Sequence, residues 1–270
     1  MTEVPVTSVA NLKGGVGKTL VVAAIAHAIA GLGKSALLVD VDPQGNLTQH
    51  FTSYSKDNPP PVSLADVLDR KDPLPIEDAV LETKRAGLTI VASGFDELQA
   101  VQDTLVGSPG AEFRLDRALR GLRSEAYAHV LLDCRPATDL VTRNAFVAAD
   151  SMIVVLQPEF DAIAGWNQTL DAVDDLKEYV GKTLPLAGLV VNQIDARRKD
   201  HEEYLAAIHA QANDEAIKVL AEIPMSTDLS RLNAIGMGID EYPRASSRLR
   251  YIATGFTQIA ELLLGQEMAA

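Results

Sequence analysis

Short, near-continuous apolar runs alternate along this chain with longer stretches of helical apolar spacing. The runs are "VTSVANL" (6–12), "SALLVD" (35–40), "LTIVAS" (88–93), "AHVLLDC" (128–134), "SMIVVLQ" (151–157), "LAGLVVNQ" (186–193) and "KVLAEIP" (218–224). Most lack polar alternation, which predicts strands covered on both faces. Helical patterns fall between them at 18–31, 96–105, 111–124, 138–148, 161–180, 201–213, 227–235 and 245–265. Strands alternating with helices predict an α/β fold, a doubly wound, mostly parallel sheet flanked by helices. "SYSKDNPPPVS" (53–63) holds three consecutive prolines and reads as a surface loop. The alternation resumes after it, so a single domain spanning 1–270 is expected.

Apolar residues make up 47% of the 270, ample for one large core. Lys+Arg is 24 and Asp+Glu is 37, a net charge of −13. Such a chain is repelled by polyanions on average, so any nucleic-acid contact requires a local basic patch. Cys134 is the single cysteine, which excludes an intrachain disulfide and fits a reducing compartment. The N-terminal "MTEVPVTSVANLKGG" lacks the pattern of a secretory signal. No apolar run approaches the roughly 20 residues that span a bilayer. A soluble, cytoplasmic protein is expected.

The chemistry concentrates in "VANLKGGVGKTLVVAAIAHAIA" (9–30). A strand, a glycine turn and "GKT" opening a helix make a phosphate cradle. Glycines let backbone N–H groups crowd around phosphate oxygens, and the helix N-terminus adds partial positive charge. The loop Lys13, Gly14, Gly15, Val16, Gly17, Lys18, Thr19 and Leu20 is therefore the candidate nucleotide cradle. Lys18 is placed to reach the β- and γ-phosphates and Thr19 to ligate Mg²⁺. The alternative for such a turn is a plain helix cap. The common signature has glycine where Leu12 stands, and a second lysine, Lys13, follows it.

"KGGVGKT" resembles the deviant Walker A P-loop of the ParA/MinD family of ATPases, most nearly its ParA/Soj-type partition members. The resemblance covers roughly residues 6 to 262. It implies ATP and Mg²⁺ as cofactors, and a catalytic trio of Lys13, Lys18 and Asp42. Lys13 would cross a nucleotide-sandwich homodimer to the other subunit's phosphates. "GKSALLVDVDPQGNLTQHF" (33–51) resembles the segment after the family's second strand. There Asp42 would position or activate water and Asp40 would lie near the Mg²⁺ shell, although two such carboxylates can also simply cap a turn before Pro43. "HVLLDCRPATDLVTRNAFVAAD" (129–150) resembles the Walker B and switch region, making Asp133 the Mg²⁺-linked aspartate. Arg135 replaces the first of two prolines usual after it. "VLQPEFDAIAG" (155–165) and "GLVVNQID" (188–195) also resemble family segments. Asn192 falls where relatives meet the adenine edge, though an Asn there is also a turn former. In "EIPMSTDLSRLNAIGMGI" (222–239), Pro224 would flank the base.

The resemblance implies further expectations about partners. ParA proteins bind DNA non-specifically as ATP dimers, and a ParB-like partner stimulates hydrolysis. Candidate DNA contacts are Arg197 and Arg198, Arg231, and Arg244, Arg248 and Arg250 of a locally basic segment. Each is equally readable as a solvated charge. Met225, Asp228 and Met237 stand where many members are basic. The same engine could carry a protein cargo such as a chemoreceptor cluster or a carboxysome. A MinD-like membrane switch is disfavoured, because the tail "FTQIAELLLGQEMAA" has no lysine or arginine. One cysteine also cannot supply the paired thiolates of a related iron–sulfur reductase. The expected site of action is cytoplasmic and nucleoid-associated.

Overall fold

The computed structural model describes residues 4–120, 122 and 126–265. Eight strands, β1 (Val6–Ala10), β2 (Ala36–Asp40), β3 (Val80–Glu82), β4 (Leu88–Val91), β5 (His129–Asp133), β6 (Ser151–Leu156), β7 (Leu186–Ile194) and β8 (Val219–Pro224), form one sheet in the order β3-β4-β2-β5-β1-β6-β7-β8. Every neighbouring pair is parallel except β3 with β4. Around it lie α1 (Lys18–Gly31), α2 (Asn46–Phe51), α3 (Leu64–Leu68), α4 (Asp96–Leu105), α5 (Arg114–Leu119), α6 (Leu140–Ala148), α7 (Ala162–Val180), α8 (Lys199–Asp214), α9 (Thr227–Ala234) and α10 (Ser247–Gly265). The expected doubly wound α/β architecture is the observed one.

The sheet has a core on each face. Along β2, Leu37 and Val39 enter one core while Ala36 and Leu38 enter the other. Successive side chains point to opposite faces, so an unbroken apolar strand feeds both layers. Buried residues of α3 to α8, including Trp166, fill the first core. Those of α1, α2, α9 and α10 fill the second. α1 is apolar almost all round because it packs on both the sheet and α10.

Three short elements and one boundary differ from the sequence expectation. β3 is a three-residue edge strand, too short to show a period. α2 is six residues long and starts from Gly45 in the left-handed region. α3 follows a Ser63–Asp66 capping box, a local signal present in the sequence. The helix expected over 111–124 is a 3₁₀ turn at 111–113 followed by α5; residues 121 and 123–125 lie outside the described residues.

β1 is the switch point of the fold. The chain leaves it towards β2 on one side, and β6 starts the other side. In open α/β sheets the crevice beyond the carboxyl ends of such strands is where ligands bind. The loop 11–17 occupies that place.

Candidate functional site

The loop is built from its walls inward. Asn11, buried at the end of β1, donates its amide to Val155 O (2.7 Å) and accepts the Lys13 N–H (2.7 Å). Thr169 of α7 accepts the Leu12 N–H (3.3 Å). On the other wall Asn192 donates to Val16 O (2.9 Å) and Gln193 to Gly15 O (3.3 Å). Gly15 and Gly17 have φ of +80° and +89°. A Cβ on Gly17 would sit 2.3 Å from the Asn192 amide nitrogen. Only glycine fits there, for conformation and for space. Gly17 caps α1 without a side-chain hydrogen bond, and no acidic residue stands in the first turn. The helix N-terminus is left open to an anion.

The two lysines diverge. Lys18 is 7% exposed, and its ammonium folds inward to donate to Lys13 O (3.1 Å). Burial lowers its pKa, against the pull of Asp133, Cys134 and Asp42. Lys13 turns outward to Glu159 (2.6 Å) and to Asp161. Burial opposes its charge, but hydrogen bonds and charges from these two carboxylates outweigh it and raise the pKa.

The acidic groups sit on adjacent strand ends. Asp40 and Asp133 are register partners of β2 and β5, both fully buried. Asp40 accepts the N–H (2.8 Å) and hydroxyl (2.7 Å) of Thr48, anchoring α2, and the Asp42 N–H (3.3 Å). Asp133 differs, because neither carboxylate oxygen has a hydrogen-bond partner among the described residues. Burial and the neighbouring Asp40 push its pKa well above the carboxylate range, with Thr19 and Lys18 acting the other way. Two orphaned buried oxygens beside Thr19 are an arrangement that a hard divalent cation would complete. Asp42 stands partly exposed beyond β2 and accepts the Gln44 N–H (3.0 Å).

After β5, Arg135 pairs with Asp139 (2.7 Å), the N-cap of α6, and donates to Gln99 of α4 (3.1 Å). Where a proline was usual, an arginine ties this loop to two helices.

The remaining candidates lie further out. The Asn192 amide nitrogen donates to Val16 O. Pro224 ends β8 beside Ile194. Arg197 pairs with Asp195 and Arg198 with Asp200. Arg231, Arg244, Arg248 and Arg250 are exposed on α9, the following loop and α10. Arg248 donates to Met225 O (3.2 Å), bringing the start of α10 to the corner after β8.

A family model described as an AAA domain matches residues 4–186. The chromosome partitioning protein ParA of Caulobacter vibrioides is 32% identical over 232 residues, 86% of this chain and 84% of that one. The chain belongs to the ParA/MinD family of P-loop ATPases. Solved structures agree with this family's fold. Cobyrinic acid a,c-diamide synthase of Mycobacterium smegmatis, with a bound ATP analogue and magnesium, has a TM-score of 0.78 at 29% identity, covering 99% of this chain and 97% of that one. The ATP complex of a point variant of Cyanothece McdA reaches 0.84 at 20% identity, over 97% of each chain.

Residue type and spacing singled out the loop 13–20 and Asp40, Asp42 and Asp133. Asn11, Thr48, Glu159, Asp161, Thr169 and Gln193 emerge only from the fold. Gln193 has φ +59°, a left-handed conformation rare outside glycine, held where its amide braces the loop. Nothing in "VNQID" signals it.

Proposed function

We propose that the chain is a Mg²⁺-dependent ATPase of the ParA partition type, acting as an ATP-sandwich homodimer on DNA. One observation carries this reading. Lys18 points into its own loop, whereas the Lys13 ammonium is held outside that loop by Glu159 and Asp161. A lysine facing outward from a phosphate cradle is available to a second subunit.

In this reading the backbone N–H groups of Gly14 to Leu20 and the Lys18 ammonium bind the phosphates. Asn192 Oδ1 and Pro224 border the base. Thr19 and Asp133 would hold Mg²⁺, with Asp40 behind them fixing α2 through Thr48. Mg²⁺, when bound, would supply positive charge that offsets the charge developing on the phosphates. Asp42 accepts a hydrogen bond from water and aims it in line at the γ-phosphorus. Lys18 and Lys13 of the partner subunit stabilise the charge spreading onto the transferred group. With the γ-phosphate gone, Lys13 loses its partner in the other subunit and the dimer separates. Hydrolysis is slow alone and quickened by a ParB-like protein. The whole chain acts as one domain, cytoplasmic and nucleoid-associated, with no membrane partner. Among the described residues no helix is long and apolar enough to cross a bilayer.

Sequence-blind DNA contact through Arg197, Arg198, Arg231, Arg244, Arg248 and Arg250 would move a plasmid or chromosome locus. The Arg197–Asp195 and Arg198–Asp200 pairs favour a second reading, the same switch carrying a protein cargo with weaker DNA contact. DNA retention across a salt series, with ATP against ADP, separates the two. ATP-dependent binding that falls steeply with salt and ignores sequence is the expected result. No retention at low salt in either nucleotide would remove DNA from the proposal.

A further inference from the structure

α1 carries one polar residue in the middle of its apolar run, His27, 3% exposed. Its Nε2 lies 3.2 Å from Nε2 of His50 in α2. Its Nδ1 has no hydrogen-bond partner among the described residues. That nitrogen faces the 3₁₀ turn 239–241, with Glu241 Oε2 at 3.6 Å, too long for a hydrogen bond. Arg85 takes Asp240 Oδ2 and Glu241 Oε1, leaving each carboxylate an oxygen not engaged by the guanidinium. One ligand atom from each of His27, Asp240 and Glu241 lies within 4.8 Å of the others. Gly238 keeps the space between them open: a Cβ there would sit 2.5 Å from Asp240 Oδ1 and 2.8 Å from His27 Nδ1.

We propose that His27 Nδ1, Asp240 and Glu241 form a binding site for a divalent transition metal of the Zn²⁺ class, clamping α1 to the segment that leads into α10. Two ligands about 2.1 Å from a tetrahedral centre stand about 3.4 Å apart, close to the His27–Glu241 separation. An imidazole with two carboxylates suits Zn²⁺ and disfavours Mg²⁺, which prefers an all-oxygen shell. Water completes the coordination from an adjoining cavity of about 270 Å³ lined by His27, Gly238, Asp240 and Phe256.

The histidine pair fits this assignment. Two Nε2 atoms at 3.2 Å need one proton between them. A metal on Nδ1 of His27 fixes that proton on its Nε2, which donates to His50. A ligating histidine commonly has such an outer partner. Arg85 holds both carboxylate rotamers from the far side. The clamp joins the helix that begins with Lys18 and Thr19 to the segment bearing Arg244, Arg248 and Arg250. It stands independently of the nucleotide reading.

The test is Zn²⁺ titration of the full, metal-stripped chain by calorimetry, with Mg²⁺ in excess and no nucleotide. A single saturable site is expected, with a rise in Tm on Zn²⁺ addition. His27→Gln and Asp240→Asn should abolish both signals, and His50→Gln should weaken affinity about 10–100-fold. His209→Gln, at the half-exposed pair with Glu222, and Asp42→Asn should leave them unchanged. If His27→Gln fails to fold, Asp240→Asn carries the test, since its side chain is 44% exposed. Absence of saturable binding, or binding that survives Asp240→Asn, overturns the site. Loss in His209→Gln would place the metal elsewhere and overturn it equally.

Discussion

Lys13 is held by its own chain until something better is offered. Glu159 and Asp161 are part-exposed carboxylates, so each pair contributes roughly 0.2–1 kcal/mol. A desolvated phosphate in the proposed dimer interface would outweigh that. Lys13→Ala should keep nucleotide affinity within about threefold and lose ATP-dependent dimerisation, read by sedimentation. A variant that still dimerises with ATP sinks the sandwich model. The double change Glu159→Gln, Asp161→Asn releases the lysine in both subunits. It should lower the protein concentration needed for the ATP dimer by about tenfold. An unchanged or raised concentration would mean these carboxylates are not a competing hold.

At the scale of elements, the cradle is a loop braced from three sides. β1 supplies Asn11, α7 supplies Thr169, and the end of β7 supplies Asn192 and Gln193. Gly17 is the point where these braces leave no room. Gly17→Ala combines a strained φ with a contact of 2.3 Å, so β7 and the loop must part. Nucleotide binding should fall by at least about 100-fold, with a stability loss of about 1–3 kcal/mol by urea titration. Normal ATP affinity in that variant would show the loop to be far softer than its hydrogen bonds imply. Gly45, where a Cβ would lie 2.1 Å from the Phe95 ring, locks α2 against α4 in the same manner.

Across the whole molecule, buried ionisable groups pull stability in opposite directions with pH. His129 is held neutral, its pKa lowered by burial to about 4. Its contribution is fully present above about 6.5 and is lost as pH falls through about 4. Asp133, raised by burial and by Asp40, contributes fully at low pH and loses that contribution as pH rises. Replacing each group reports its own sign. His129→Gln should gain stability relative to the parent as pH falls from about 6.5 to 4, by about 3 kcal/mol at most. Asp133→Asn should gain relative to the parent as pH rises above the ordinary carboxylate range. It should also lower Mg²⁺-dependent hydrolysis at least tenfold. Urea midpoints of both variants across pH check this, and matching slopes would show the burial argument to be wrong. A cation bound at Asp133 would stabilise its charged form.

The order of residues alone determined the alternating layers, the phosphate loop with its second lysine, and the aspartates at strand ends. These are periodic or contiguous signals, legible because one strand or one turn generates each. The short elements escaped: β3 has only three residues, and α2 owes its place to a buried bond between Thr48 and Asp40. The tertiary structure decided what each group faces. Lys13 meets Glu159 across 146 positions and Asn192 meets the loop across 176. His27 reads in sequence as one polar interruption of a buried helix. Only packing of α1 against α2 and the turn before α10 sets it beside His50, Asp240 and Glu241. Contacts over such separations leave no local period, because the sheet rather than the neighbouring residues brings them together.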